Sequence, residues 1–307
     1  MGEEQPTSAQ VEAPARDRTW VDVGLPVYNG AEGIERAVRS VLNQTYDRIT
    51  ILISDNASTD GTGAICKRLA AEDDRIVYMG NSVNLGATRN FNRVFVEGSS
   101  RYFKWMSHDD VLDPSAIEKA VDALEKRPDL AVVHWSERIT DSDGNLLREY
   151  RPDQAFRIEG RTAGHRFRQM LNWSALGYAG DPIYGVIRRS ALETTGLLSN
   201  KLNANFLLLE ELALCGGIYQ IPEVLATRTY NDVRTTAEAM LSWLDPNSSH
   251  RFPHVRLWWE HARIGIKGSK APVEGLKTVG SLFGYAFREG LKGFAWDIKR
   301  FLLGGRR

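Results

Sequence analysis

The sequence predicts an α/β fold: a mainly parallel sheet flanked by helices, with a helical region at its C-terminal end. Three observations predict it. From Trp20 to Trp135, short apolar runs alternate with segments whose apolar residues recur at helical spacing. Strands alternating with helices imply a parallel sheet wrapped on both faces by right-handed crossovers. Second, the turns at 28–30, 54–60 and 107–110 are polar and each follows a strand, so all three open onto one crevice beyond the carboxyl ends of the strands. Third, from about Thr235 the pattern is helical and rich in tryptophan (Trp243, Trp258, Trp259, Trp296).

Residues 1–18, polar and proline-bearing with no apolar period, read as a disordered tail. Val21 to Val27 is the first strand, with Pro26 near its end, where a missing N–H matters least. Tyr28-Asn29-Gly30 is a turn, and Ile34, Ala37, Val38, Val41 and Leu42 form the stripe of a helix over 31–43. Ile49 to Ile53 is a second strand, stopped by the polar run from Ser54 to Gly61. A helix from Thr62 carries Ile65, Leu69 and Ala70 on one face; Arg75 to Met79 is a third strand. Asn84-Leu85-Gly86 opens a helix to about Glu97, and a strand follows at 101–106. Asp113 and Pro114 suit the N-cap and first residue of a helix ending at Lys126. Leu130 to Trp135 is the next strand, after which the rhythm breaks.

Ile139 to Tyr150 reads as a β-hairpin about Asp141-Ser142-Asp143-Gly144-Asn145. Residues 160–172 read as a helix and 173–190 as loop plus strand. Asn205 to Cys215 is a strongly apolar helix interrupted by Glu210-Glu211 and ended by Gly216-Gly217, and Ile218 to Arg228 reads as a strand pair. The chain thus divides into a tail (1–18), a main domain (19–232) with halves at 19–135 and 136–232, and a helical C-terminal region (233–307).

Composition narrows the function classes. The chain has 307 residues, 25% charged and 42% hydrophobic, and can bury a sizeable core. Its 39 basic and 39 acidic residues cancel, so no global attraction to nucleic acid is expected. Cys66 and Cys215 stand far apart, which excludes a disulfide framework or cysteine metal site and fits a reducing compartment. No apolar run approaches the ~20 residues that span a bilayer, and the start is too polar for a secretory signal. A soluble, cytoplasmic protein is expected.

The stretch from Arg101 to Asp110 draws the chemistry together. An apolar strand ends in His108-Asp109-Asp110. Adjacent carboxylates at the end of a buried strand are costly unless a cation or protons neutralise them. A hard divalent ion bound by one or two carboxylates and the oxygens of a diphosphate would do so. A bare Asp-Asp is more often a pair of solvated loop acids, so the accompanying motifs decide.

Those motifs are Leu25-Pro26-Val27-Tyr28-Asn29-Gly30, Ser40 to Tyr46, Ser54 to Thr62, Asn84-Leu85-Gly86 and His108-Asp109-Asp110, with Pro222-Glu223 downstream. In this order and spacing, over roughly residues 20–230, the chain resembles the family 2 glycosyltransferases of the GT-A fold. The resemblance implies that 19–135 is a nucleotide-binding half and 136–232 an acceptor half. It implies a nucleotide-sugar donor, with uracil or thymine as the expected base and guanine left open. Asp55 can accept from a base N3–H or a ribose hydroxyl, Pro26 and Tyr28 can wall the base, and Asn29 and Asn56 lie in the same turns. The other reading of Asp55 and Asn56 is a turn that satisfies its own backbone. Arg89 could reach the base or diphosphate, or be an exposed helix arginine. Asp109 and Asp110 match the metal motif; His108 stands where many members have an acid. The implied ion is Mg²⁺ or Mn²⁺, bridging Asp110 and the phosphates as a Lewis acid.

Two departures concern the acceptor half. Inverting transfer needs a general base, and Asn205 sits where close relatives often carry Asp. Glu210, Glu211 and Asp181 are the candidates; a carboxylate amid leucines should have a raised pKa, while one face of that helix turned to water is the other reading. Asn231 falls where many relatives place a metal-side histidine, and its amide oxygen could coordinate less strongly. The acceptor is expected to be a glycan, a lipid-linked molecule or a small hydroxyl compound. The apolar stripe Val279, Leu282, Phe283, Ala286, Phe287, Leu291, Phe294, Ile298 and Phe301, with nearby lysines and arginines, could lie on a membrane surface or pack on the sheet or a second subunit, as in a homodimer; the neutral charge favours packing. The rival to an enzyme is a catalytically degenerate nucleotide-sugar-binding or scaffold protein, motivated by Asn205 and Asn231. The first strand–helix turn lacks Gly-x-Gly-x-x-Gly, which disfavours a nicotinamide dehydrogenase.

Overall fold

The computed structural model describes residues 20–149, 156–174, 182–229 and 253–268, with 277, 280 and 281. The tail, Asp181, Asn231 and most of the apolar stripe beyond 281 lie outside the described residues.

Among the described residues, ten strands form one sheet. They are β1 (Val21–Val27), β2 (Ile49–Asp55), β3 (Ile76–Gly80), β4 (Tyr102–Trp105), β5 (Val111–Leu112), β6 (Leu130–Thr140), β7 (Leu146–Glu149), β8 (Arg157–Ile158), β9 (Val186–Arg188) and β10 (Gly217–Thr229). The spatial order is β3-β2-β1-β4-β9-β6-β10-β5, with β7 beside β6 and β8 beside β10. β1, β2, β3 and β4 pair in parallel, as do β6 and β10. Every antiparallel pairing involves one of the short strands β5, β7, β8 or β9. The strands that carry the fold therefore point the same way, and their carboxyl ends share one rim.

Helices α1 (Ile34–Leu42), α2 (Thr62–Glu72) and α4 (Ala116–Lys126) cover one face through Val38, Val41, Leu69, Ile117 and Leu124, packed on Val21, Val23 and Leu25. On the other face, α3 (Ala87–Val96), α5 (Ala163–Ser174) and α7 (Ala204–Cys215) bury Val94, Phe95, Met170, Leu208 and Leu212 with Phe103 and Trp105. A four-residue helix, α6 (Arg189–Leu192), follows β9. The helix α8 (Pro253–Gly268) packs on α5 and α7 through Leu257, Ala262 and Ile264, which meet Phe167, Leu171, Leu202 and Leu207. The described helix of the C-terminal region, Pro253–Gly268, is thus packed onto the main domain.

Several elements differ from expectation for identifiable reasons. The segment 218–228 is one strand, not a pair: register shifts between Ile221 and Val224 place Pro222 in an irregularity, where its missing N–H breaks no ladder bond. The helix after the aspartates begins two residues late. Asp113 Oδ1 accepts from the Ser115 N–H (2.9 Å) and hydroxyl (2.7 Å), forming a turn before α4. β6 runs straight into the hairpin as a single long strand, and β5 is too short to leave a pattern.

Candidate active site

The rim begins with the loops after β1 and β2, which are tied to each other. Asn29 adopts φ 51°, a left-handed conformation asparagine tolerates better than most residues. Its N–H donates to Ser58 Oγ (2.9 Å) and its Oδ1 accepts from the Thr59 N–H (2.9 Å). The Gly30 N–H donates to Thr62 Oγ1 (2.9 Å) and the Ala31 N–H to Asp60 Oδ2 (3.0 Å). A side chain at residue 30 would collide with the His108 ring, since its Cβ would fall 2.4 Å from that ring. Three loops that are distant in sequence meet here.

Asp55 closes β2 and is buried. Its Oδ1 accepts from the Ser58 N–H (2.9 Å) and its Oδ2 from the Tyr78 hydroxyl (2.9 Å). Burial and the carboxylate together push that phenol up to about 12. A carboxylate has about four acceptor sites, so Asp55 keeps capacity for a ligand donor. Asn56 does not: its Oδ1 accepts from the Leu85 N–H (2.8 Å) and Asn81 Nδ2 (3.0 Å), while its Nδ2 donates to Asn84 Oδ1 (2.8 Å). This buried amide braces the Asn84-Leu85-Gly86 loop. Pro26 is buried in β1 opposite Ser54, Tyr28 stands 48% exposed at the rim, and Arg89 is exposed in the first turn of α3.

Asp109 and Asp110 follow β4. The Asp109 carbonyl accepts from Thr229 Oγ1 (3.0 Å) and Arg36 Nη2 (3.3 Å), and its Oδ1 from the Ser107 hydroxyl (2.5 Å). Asp110 is buried. Burial pushes its carboxyl up to about 7, Asp109 and Glu137 adding to the effect and Arg228 opposing it. Sequence reasoning did not select three charged neighbours. Arg228 lies with Nε 3.5 Å from Asp110 Oδ2 and Nη1 3.3 Å from Glu137 Oε2, and its guanidinium covers the Tyr184 ring at 4.6 Å. Beneath them Lys104, fully buried, donates to the Tyr184 and Trp105 carbonyls and lies 4.8 Å from the Trp135 ring. Burial pulls its ammonium down to about 7, with Asp110 and Glu137 restoring part of its charge. Sheet register brings these residues together, and no local pattern announces them.

Among the candidate bases, Glu210 has a wholly buried carboxyl that pairs with His261 Nδ1 (2.8 Å) between α7 and α8. Glu211 is held by the Gly196 N–H (2.7 Å) and faces Arg263 (3.5 Å), an anchoring arrangement. Asp181 and Asn231 lie outside the described residues. Asn205 is half-buried in the first turn of α7.

A mainly parallel sheet whose fourth strand leads into paired aspartates is the GT-A arrangement, and solved structures share the fold. TarS of S. aureus in complex with UDP-GlcNAc superposes with a TM-score of 0.64 at 14% identity, covering 94% of this chain and 76% of that one. Mannosyltransferase PcManGT from Pyrobaculum calidifontis, in complex with GDP-Man and Mn²⁺, gives 0.57 at 17% identity over 95% and 77%. The chain belongs to glycosyl transferase family 2, a family of enzymes that transfer sugars; the match spans residues 22–196. A Rickettsia conorii glycosyltransferase is 32% identical over 141 residues, 46% of this chain and 23% of the relative. Chondroitin synthase of Escherichia coli is 32% identical over 128 residues, 41% of this chain and 18% of the synthase. The matched stretch is thus less than a quarter of either relative.

Proposed function

We propose that the chain is an inverting glycosyltransferase that moves a sugar from a nucleotide diphosphate donor, a UDP- or dTDP-sugar, to a hydroxyl acceptor. The observation that carries this reading is the buried Asp110 after β4, at the carboxyl rim of the sheet that also carries Asp55 and the tied loops of β1 and β2. In this assignment Asp55 accepts from the base or ribose, Tyr28 covers the base from the rim, and Asn29, Asn56 and His108 hold the loops in register. Arg89, exposed on α3, meets the anionic donor from the opposite side.

The residues present fit a divalent cation. Asp110 is a desolvated carboxyl whose charge is opposed by burial and by two neighbouring acids, and a hard cation would relieve that cost. Among the described residues no cluster of three or more His, Cys, Asp or Glu side chains could hold a metal unaided. One or two carboxylates completed by phosphate oxygens and water is the usual Mg²⁺ or Mn²⁺ arrangement. Asp110 would hold the ion, with Asp109 beside it and Asn231 as a further oxygen donor. When bound, it supplies Lewis-acid stabilisation of the leaving diphosphate.

The base falls to Asp181 among the three candidates, since Glu210 is sealed and Glu211 is tied to Gly196. Asp181 directly precedes the helical turn Pro182–Tyr184, whose Tyr184 ring lies against Arg228 at the site. It would take the acceptor's proton as the sugar carbon is attacked opposite the leaving group.

The test is release of nucleoside diphosphate from a panel of donors with Mn²⁺ and candidate acceptors. Asp110→Ala should remove transfer and metal-dependent donor binding; unchanged turnover would discard the cation assignment. Asp181→Asn should retain donor binding while turnover falls by about 10²-fold or more. Donor binding with no release across the whole panel would favour a degenerate binding protein.

A further inference from the structure

Arg228 stands where a cation is needed. The antiparallel pair Thr227↔Val111 sets it beside Asp110, and the parallel pair Ala226↔Glu137 sets it beside Glu137. It therefore lies between two carboxyls, each with a side chain only 7% exposed, where burial makes a negative charge costly. Its contacts with these two acids are long: 3.5 Å to Asp110 and 3.3 Å to Glu137, against the ~2.7–2.9 Å of a tight charge-assisted bond. At such a distance a counter-ion neutralises a carboxylate without clamping it. The Tyr184 ring supports the flat face of the guanidinium, and Lys104 holds the Tyr184 carbonyl, so Arg228 keeps a seat if Asp110 is taken away.

We propose that Arg228 is a built-in counter-cation that competes with a divalent metal ion for Asp110, and that the ion binds by displacing it. The exchange replaces one positive charge at the carboxyl by two: the guanidinium leaves Asp110 but retains Glu137 and Tyr184, and a divalent ion would take the vacated oxygen. Removing Arg228 should then strengthen metal binding, the opposite of what a residue that helps assemble a metal site would do. The proposal rests on the reading of Asp110 as the cation ligand.

The experiment is titration of the full chain with Mn²⁺ alone, without nucleotide, followed by calorimetry or by the free-Mn²⁺ paramagnetic resonance signal. Arg228→Gln should bind Mn²⁺ about tenfold more tightly than wild type, within the range of typical coupling between two ligands. Arg228→Lys, which keeps a cation there, should stay within about threefold of wild type, and Asp110→Asn should abolish binding in either background. Unchanged or weaker binding in Arg228→Gln, with the Asp110 dependence intact, overturns the competition and spares the cation site. Binding that ignores Asp110 in every variant overturns both. Melting temperature gives a second readout: Mn²⁺ should raise that of Arg228→Gln by more than that of wild type, and an equal or smaller rise overturns the proposal.

Discussion

Glu210 and His261 are both buried and pair with each other at 2.8 Å. Removing one partner of such a pair typically costs about 3–5 kcal/mol. Glu210→Ala should therefore lose stability of that order in urea unfolding, whereas Glu210→Gln, which keeps the shape and one hydrogen bond, should lose less and retain turnover. A folded Glu210→Gln protein without transfer activity would restore the glutamate as a base. At Asn56 the chemistry differs but the logic is the same. Its amide satisfies three partners around the loop at 81–86, and leaving buried groups unpaired costs about 1–3 kcal/mol each. Asn56→Ala should lower stability by about 2–4 kcal/mol and weaken donor binding in a fluorescence titration, because Arg89 is carried just beyond that loop.

At the scale of elements, α8 tests how firmly the C-terminal region belongs to the main domain. Leu257 packs into the small core with Phe167, Leu171 and Leu207, and truncating a buried leucine costs about 2–5 kcal/mol. Leu257→Ala should lower the unfolding midpoint in a single transition; two separate transitions would mean that α8 docks as an independent unit. The same elements show what was legible in advance. β1, β2 and α1 were readable because each is continuously apolar or striped, whereas Asp109-Asp110 stood out only through the motifs that accompany it. β5 was not, having two residues and no period of its own. In α7, Glu210 looks like a break in an apolar helix, and the histidine that answers it lies on another helix 51 residues away. Arg228 and Glu137 lie on strands whose neighbours are chosen by register, which residue spacing along one strand does not reveal.

For the whole molecule, buried ionisable groups set the response to pH. His134 is enclosed in β6, and burial pulls its imidazole from 6.5 down to about 3. The unfolded chain binds a proton there at pH values where the folded chain does not, so this contribution is full above about 6.5 and is lost as pH falls toward 3. Asp110 works the other way: raised from 3.8 to about 7, it subtracts stability as pH rises through that interval. The His134 part should thus appear as a difference. His134→Phe should flatten the dependence of urea midpoint on pH between 3 and 6.5 relative to wild type, and parallel curves would refute the assignment. A last consequence follows from where β10 lies. It is inserted between β6 and β5, although it comes after residue 196, where the family match stops. A polypeptide trimmed to that match would strip β6 of its neighbour on one side, uncovering a long row of unsatisfied amides that invites self-association. It would also lack the guanidinium that tempers Asp110. The recognisable motif therefore ends before the strand that covers that side of β6.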